Sequence, residues 1–594
     1  LYLPVNTPSM TPYDYGVLVF YFGYMLTISW VFRRFVSNVS DYFRGGGKAL
    51  WWMVGGSAFM MSFSAWTLTG AASQAYGRGW PIVMIYVANA LGFLVNALHF
   101  APKFRQMRVV TGIEAVRLRF SRANEQVFTW LQLPLGTLQA TLHLNAVAVF
   151  FSAVFGFDLS LTIIALGLMV LTIALLGGSW AVIAGDFIQM LILMPVCVTV
   201  TVLAVVHLGG WGGFLDKIPA THLDFGALWK SDFLALWCAA MLLKQVISTN
   251  NLLDANRYLS VKDSRHARWA GFLGSGLYLV GIVVWFIPPI AARALFPDLH
   301  GQFPTLEHPD EAAFIAITRA VAPVGMLGLL VSGIFAATMS AMDAGLNKSA
   351  GIFIKNFYQP VLKPSAPDRH LLKAGKVVTL LLGVIIIFTA LQMSQLKQFN
   401  LFIQMQRVSI LIGVPITVPL VLALLIRRTP AWSGWSTVLV GFIGSVLIDR
   451  YLSPGWAAEF FGKTKPLDPV SEEYWRQGIQ LLGNVALGTG WFLFSSLFWS
   501  SSPPAHRAQV EAFATRLDAP IDFAKEEGAA AANDSRQAGA VGWLCLTYGS
   551  FVLLLTLIPN PWVGRLAFLG CGGMVVFIGF VLVRSSRRAA PSGG

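Results

Sequence analysis

Apolar runs of bilayer length, separated by short polar interludes, recur along the whole chain. They lie near 14–35, 49–75, 80–101, 126–156, 159–177, 180–208, 232–256, 268–294, 324–356, 371–393, 399–426, 433–451, 477–499, 541–559 and 563–583. At roughly 20 residues per crossing, the pattern predicts about 15 transmembrane helices and an all-α polytopic fold. The runs 126–156 and 324–356 exceed one crossing, which predicts tilt or a bend. The interludes alternate in charge. "RRFVSNVSDYFRGGGK", "PKFRQMRVVTGIEAVRLRFSR", "NRYLSVKDSRHAR", "KNFYQPVLKPSAPDRHLLKAGK", "IRRTP" and "RSSRR" are basic, and the alternation puts the 500–540 stretch on their side, whereas "FPDLHGQFPTLEHPDEAAF" is mixed to acidic. Basic loops belong on the cytoplasmic side, so the N-terminus is expected outside and, after an odd number of spans, the C-terminus inside.

Composition narrows the class. Hydrophobic residues make up 56% and charged residues 12% of the 594, against about half and a quarter in a soluble domain. The formal net charge of +14 would suggest nucleic acid in a soluble protein; here the basic loops account for it. Membrane lipids and a small-molecule substrate are the expected partners, with no nucleic acid and no partner protein implied. Cys197, Cys238, Cys545 and Cys571 all fall within apolar runs and read as packing residues. No cleavable signal peptide is evident, because the first apolar run is long enough to span and ends at Arg33-Arg34. The Ala-, Ser-, Pro- and charge-rich stretch 501–540 reads as a cytoplasmic linker, partly helical. No nucleophile–base or metal-ligand constellation points to an enzyme, and no Walker motif points to ATP drive.

Polar residues inside the spans carry the chemistry. In "AATMSAMDAGLNKSAG", Ser340, Asp343 and Asn347 stand at i, i+3 and i+7, one stripe on one helical face. A carboxylate in hydrocarbon needs a cation: either a transported ion or a basic side chain such as Lys348. Asp186 and Gln189 share a face in 180–208. Gly55, Gly56 and Gly70 sit among six Ser and Thr residues in 55–79, which suits either close helix packing or a broken helix with free carbonyls. Lys244 and Gln245 fall mid-span in 232–256, before Ser248, Thr249, Asn250 and Asn251, a run of poor helix formers where unwinding is expected. Lys244 either faces inward or snorkels. Gln404, Gln406 and Arg407 precede Pro415 and Pro419, so 399–426 is expected to bend. Two interrupted spans, 49–75 and 232–256, lie five spans apart, the mark of an inverted-repeat transporter with a midplane site.

Four stretches carry a family resemblance. "VVTGIEAVRLRF", "GGSWAVIAGDFIQ", "NRYLSVKDSRHAR" and "AATMSAMDAGLNKSAGIFIKNFY" resemble, in order, signatures of the sodium:solute symporter family, covering roughly 45–430. The resemblance implies the leucine-transporter fold: two inverted five-helix repeats within 46–210 and 211–430, preceded by a peripheral helix in 1–45. Peripheral helices in 431–500, the linker 501–540, and terminal helices with a basic tail in 541–594 follow. It also implies sodium ligands at the carbonyls of Met60, Phe63 and Ala337 and at the hydroxyl of Ser340. Ala341 stands where the family usually has a second hydroxyl. Asp343 and Asp186 match positions of a further cation site. Matched solute positions include Ser62, Thr67, Tyr86, Asn89, Asn251 and Gln406, with Lys244 and Arg407 as basic residues suited to an acidic solute.

The expected protein is therefore a cation-coupled symporter, driven by Na⁺ with H⁺ as the alternative. It is expected to import a sugar or sugar acid across a bacterial-type inner membrane by alternating access. The rivals are a proton-coupled carboxylate symporter, a non-transporting sensor of the same fold, and a channel. A sensor needs a cytoplasmic output domain longer than 501–540, and a channel needs a continuous wet pore rather than paired broken helices.

Overall fold

Backbone amides in hydrocarbon have no partner but the chain itself, so the apolar runs fold as helices. The computed structural model describes residues 10–32, 48–303, 306, 308–395, 401–463, 466–521 and 531–589. Among these, eleven helices are long and apolar enough to cross a bilayer, or twelve if the bent pair Ser433–Tyr451 and Pro454–Phe460 counts as one span. The expected count of about 15 is not reached by that measure. The shortfall lies in runs that are broken or polar: 51–78 is interrupted, Leu234–Thr249 is short, and Pro469–Ser496 carries Glu472, Glu473 and Arg476 in its first turns.

The helices that position the site are α1 (Pro12–Phe32), α2 (Trp51–Ser62), α3 (Ala65–Leu68), α4 (Gly70–Arg78), α5 (Val83–Val95), α6 (Gly112–Arg119) and α7 (Arg122–Phe155). They continue with α8 (Leu159–His207), α9 (Leu234–Thr249), α10 (Ser264–Leu295), α11 (Met326–Ile352), α12 (Asp368–Ser394), α13 (Leu401–Val408) and α14 (Val414–Leu425). Helical geometry is continuous through α8, yet Leu171 packs at Gly383 of α12 while Gln189 reaches Tyr21 of α1. Its two apolar stretches, Leu159–Leu176 and Trp180–His207, are each long and apolar enough to cross a bilayer.

Both interruptions foreseen in the sequence are present. α2 stops at Ser62, Phe63 is extended (φ −105°, ψ 139°), and the chain breaks again at Thr69 (φ −119°, ψ −86°). α9 stops at Thr249, followed by a 3₁₀ turn at Leu252–Asp254 and a helical turn at Asn256–Leu259. Poor helix formers at the break let the backbone bond to side chains instead. One end of each interrupted segment meets the other: Ala49 N donates to Ser260 O at 2.9 Å. Gly112 lies so close to this turn that a Cβ would stand 1.8 Å from Leu252 O, which only glycine permits.

The basic loops gather on one face. Arg108 donates to Pro520 O at 3.2 Å, Gln509 to Arg117 O at 2.9 Å, and Lys262 pairs with Asp534. The helix Pro504–Asp518, α15, seats His506, Val510, Phe513 and Leu517 against this face, and Arg427 grips Asp518 at 2.8 Å. That hydrogen bond holds the exposed Asp518 carboxyl below its ordinary value. On the opposite face Tyr76 Oη donates to Phe296 O at 2.6 Å, Arg78 pairs with Glu473 at 2.7 Å, and Trp80 Nε1 donates to Asp224 O at 2.8 Å.

Candidate functional site

The breaks define the site, because an interrupted helix presents polar backbone and short polar side chains where a continuous one presents only apolar faces. A cavity of about 300 Å³ lies between α2, α3, α5, α7, α9, α11 and α13. Six of the eight solute positions expected from the sequence line it: Ser62, Thr67, Tyr86, Asn89, Lys244 and Gln406. Its wall continues through Asp254, Arg257 and Lys348 toward the face that carries the basic loops.

Lys244 is buried at 5% exposure, so it faces inward rather than snorkelling. Its ammonium donates to Gln406 Oε1, and Gln406 Nε2 points to Met241 Sδ at 3.4 Å. Among the described residues no carboxylate pairs with Lys244. Buried cations ordinarily have an ionic partner, because desolvation of an ammonium costs several kcal/mol.

Two expected solute residues are placed elsewhere. Asn251 is absent from the cavity wall because its amide is consumed by the α9 break: it donates to Ser248 O at 2.7 Å and Asp254 Oδ2 at 2.9 Å, and accepts from Leu253 N at 2.8 Å. Arg407 is exposed and also absent from the wall. α13 is regular at this point, so neighbouring side chains diverge by about 100°; with Gln406 facing in, Arg407 faces out. The irregular π-helical stretch begins only at Ser409.

The sequence reading missed a polar stripe on α7. Gln132, Gly136, Gln139 and His143 line the cavity at i, i+4, i+7 and i+11. This is the same helical periodicity that exposed the Ser340 stripe. Applying it to 126–156 would have found them.

Beside the cavity lies a second polar cluster. Ala65 N, freed by the break after α2, donates to Thr338 Oγ1 at 2.9 Å. This bond holds the interrupted span against α11 at the level of Ala337 and Ser340. Met60 O accepts from Phe63 N at 3.2 Å, so two of the three expected carbonyl residues, Met60 and Phe63, sit at the break. Ser340 Oγ stands beside Asp186 but completes no hydrogen bond of normal geometry and is buried. Such orphaned buried oxygens mark where an ion or water belongs. Carbonyl, hydroxyl and carboxylate oxygens suit a hard cation.

Asp186, 1% exposed, accepts from Ser57 Oγ and faces Arg257 Nη2 at 3.4 Å. Ala341 lines the cavity and brings no hydroxyl. The side chain of Asp343 lies outside the described residues. Lys348, the basic residue weighed as its partner, bonds to Asp254 Oδ1 at 2.8 Å.

Comparison with known proteins fits this arrangement. Residues 42–441 match the family model described as the sodium:solute symporter family. The chain is 25% identical over 489 residues to sodium/myo-inositol cotransporter 2 of Oryctolagus cuniculus, covering 76% of this chain and 72% of that protein. It is 25% identical over 459 residues to the sodium/sialic acid symporter SiaT of Proteus mirabilis, covering 74% and 89%. Among solved structures, a substrate-bound, outward-open Na⁺-coupled sialic acid symporter superposes with a TM-score of 0.65 at 18% identity, over 83% of this chain and 99% of that one. A nucleobase-cation-symport-1 family transporter in a closed conformation gives 0.52 at 13% identity, over 81% and 100%. These likenesses agree on the leucine-transporter fold.

Proposed function

Because the chain belongs to the sodium:solute symporter family and is a Na⁺-coupled membrane transporter, we propose that it imports a small polyhydroxylated acid, a sugar acid by preference. The observation that carries this reading is Lys244. A buried ammonium bonded only to a neutral amide among the described residues has its charge balanced when an anionic solute arrives. Lys348 and Arg257 also line the wall, against Asp254 as a described acid, so the cavity favours anions. Ser62, Thr67, Asn89 and Gln406 supply the donors and acceptors that hydroxyl groups need, and Tyr86 offers an aromatic wall.

The reading extends to organisation. Two inverted repeats, within 46–210 and 211–430, each begin with an interrupted span at the cavity. The basic face is cytoplasmic, which puts the N-terminus outside and the C-terminus inside a bacterial-type inner membrane. Sodium is held by the carbonyls of Met60, Phe63 and Ala337 with Ser340 Oγ, and Asp186 and Asp343 lie along the cation path. Alternating access then consists of opening the face sealed by Tyr76, Arg78 and Trp80 while the wall at Asp254, Arg257 and Lys348 closes.

The test is uptake into proteoliposomes under an inward Na⁺ gradient, with labelled sugar acids and their neutral parents. Accumulation of an acid in preference to its parent is the expected result. Transport of the neutral parent with exclusion of the acid would overturn the reading, and drive by a pH gradient without Na⁺ would move the coupling to protons.

A further inference from the structure

Asp186 is reached from two sides. Ser57 and Ser340 approach it from the helices α2 and α11, and Arg257 approaches from the turn that follows the α9 break. Arg257 also lines the solute cavity, so it borders both the carboxylate and the open space. Both partners are buried, with side-chain exposures of 7% and 2%. Their separation of 3.4 Å is longer than the ~2.8 Å of a closed charge-assisted bond. Ser340 Oγ meanwhile lacks a hydrogen bond of normal geometry. The cluster thus holds a carboxylate whose buried positive partner stands short of full contact with it, next to a hydroxyl in need of a partner.

We propose that Arg257 is a tethered competitor of the transported sodium: a positioning residue that takes over Asp186 as the ion leaves and yields it as the ion arrives. A carboxylate buried at this depth is costly without a cation. With only sodium to satisfy it, the ion would bind tightly and leave slowly. A guanidinium on a short leash supplies a replacement charge, so release toward the cavity exchanges one cation for another instead of exposing a bare anion. Because the leash belongs to the α9 break, the exchange is linked to the segment that also carries Asp254 and its bond to Lys348. Sodium occupancy and the geometry of the basic-face wall are coupled through Arg257. No covalent chemistry is involved, and occupancy of the carboxylate is the quantity that changes.

The inference rests on the placement of sodium beside Ser340, and the experiment separates the two. Purified full-length protein in detergent is titrated with NaCl at constant ionic strength, without solute. Half-saturation is read from the rise in thermal stability, a linkage that needs no transport. Removing the competitor raises the fraction of competent sites, so Arg257→Gln should lower half-saturating Na⁺ by about tenfold and enlarge the Na⁺-dependent stabilisation. Adding Asp186→Asn to that variant should abolish the gain. Arg257→Lys, which keeps charge but loses the planar fork, should fall between, at about threefold. It carries the test where the glutamine variant does not fold. Half-saturation unchanged or raised in the Arg257 variants, with Ser340→Ala still weakening Na⁺ binding, overturns the competition alone. An unchanged Ser340→Ala overturns the sodium placement and the competition with it.

Discussion

Two buried cations line one cavity and have different surroundings. Lys244 on α9 meets Gln406, a neutral amide. Arg257, beyond the break in the same span, meets Asp186, a carboxylate. The first leaves a net positive charge in the cavity, which disposes it to accept an anion. The second is internally balanced, which disposes it to exchange with another cation. On the functions proposed above, one interrupted helix contributes to two sites of opposite preference, and what separates them is the residue across the gap rather than the cation itself.

The largest test of this contrast is Lys244→Met, which keeps the apolar stem and removes the charge. Truncating one member of a buried charge pair costs several kcal/mol in binding, so the affinity for an acidic solute should fall by about 100-fold. Its neutral parent should change little. Equal losses for both, measured by competition binding at saturating Na⁺, would make Lys244 a packing residue.

The next effect belongs to the cluster beside the cavity, around Asp186. Ser340→Ala removes a ligand from a charged centre and should raise half-saturating Na⁺ by about tenfold, while solute affinity at saturating Na⁺ is retained. Ala341→Ser restores the hydroxyl common in the family and should shift Na⁺ the other way, by about threefold. If Ala341→Ser leaves half-saturating Na⁺ unchanged in the same titration, that position does not face the ion.

A smaller effect is expected at the Asp254–Lys348 pair, whose side chains are 34% and 15% exposed and partly screened by solvent. Lys348→Met should alter the maximal uptake rate by about threefold. Exchanging the two residues should recover the rate if the ion pair itself, rather than either residue, closes the wall. The smallest effect tests the boundary of the cavity. Arg407 is exposed, so Arg407→Lys should leave acid affinity within about twofold of the wild type. A larger loss would place the guanidinium in contact with solute after all.

Much of this was legible in the chain. Hydropathy alone gave the helical class, since an apolar span has no alternative structure in lipid. The clustering of Ser248, Thr249, Asn250 and Asn251 located the α9 break to within a turn, because weak helix formers act locally. Periodicity set Ser340 on a polar stripe for the same local reason. The sequence failed where a side chain had more than one polar neighbour to choose from. Asn251 was read toward the solute and is spent on its own turn. Gln406 and Arg407 were read together, although α13 sends them apart.

Tertiary structure alone decided the partners. Asp186 and Arg257 are 71 positions apart, Lys244 and Gln406 are 162 apart, and Ser57 and Asp186 are 129 apart. Spacing along a helix reports only which face a residue shares with others on that helix. Which face of a second helix meets it depends on packing and crossing angle, set by the shapes of many side chains at once. Desolvation then makes the identity of the nearest group outweigh the residue's own chemistry. From its own run Lys244 could snorkel or face inward; only the arrival of α13, with Gln406 turned toward it, decided that it faces inward.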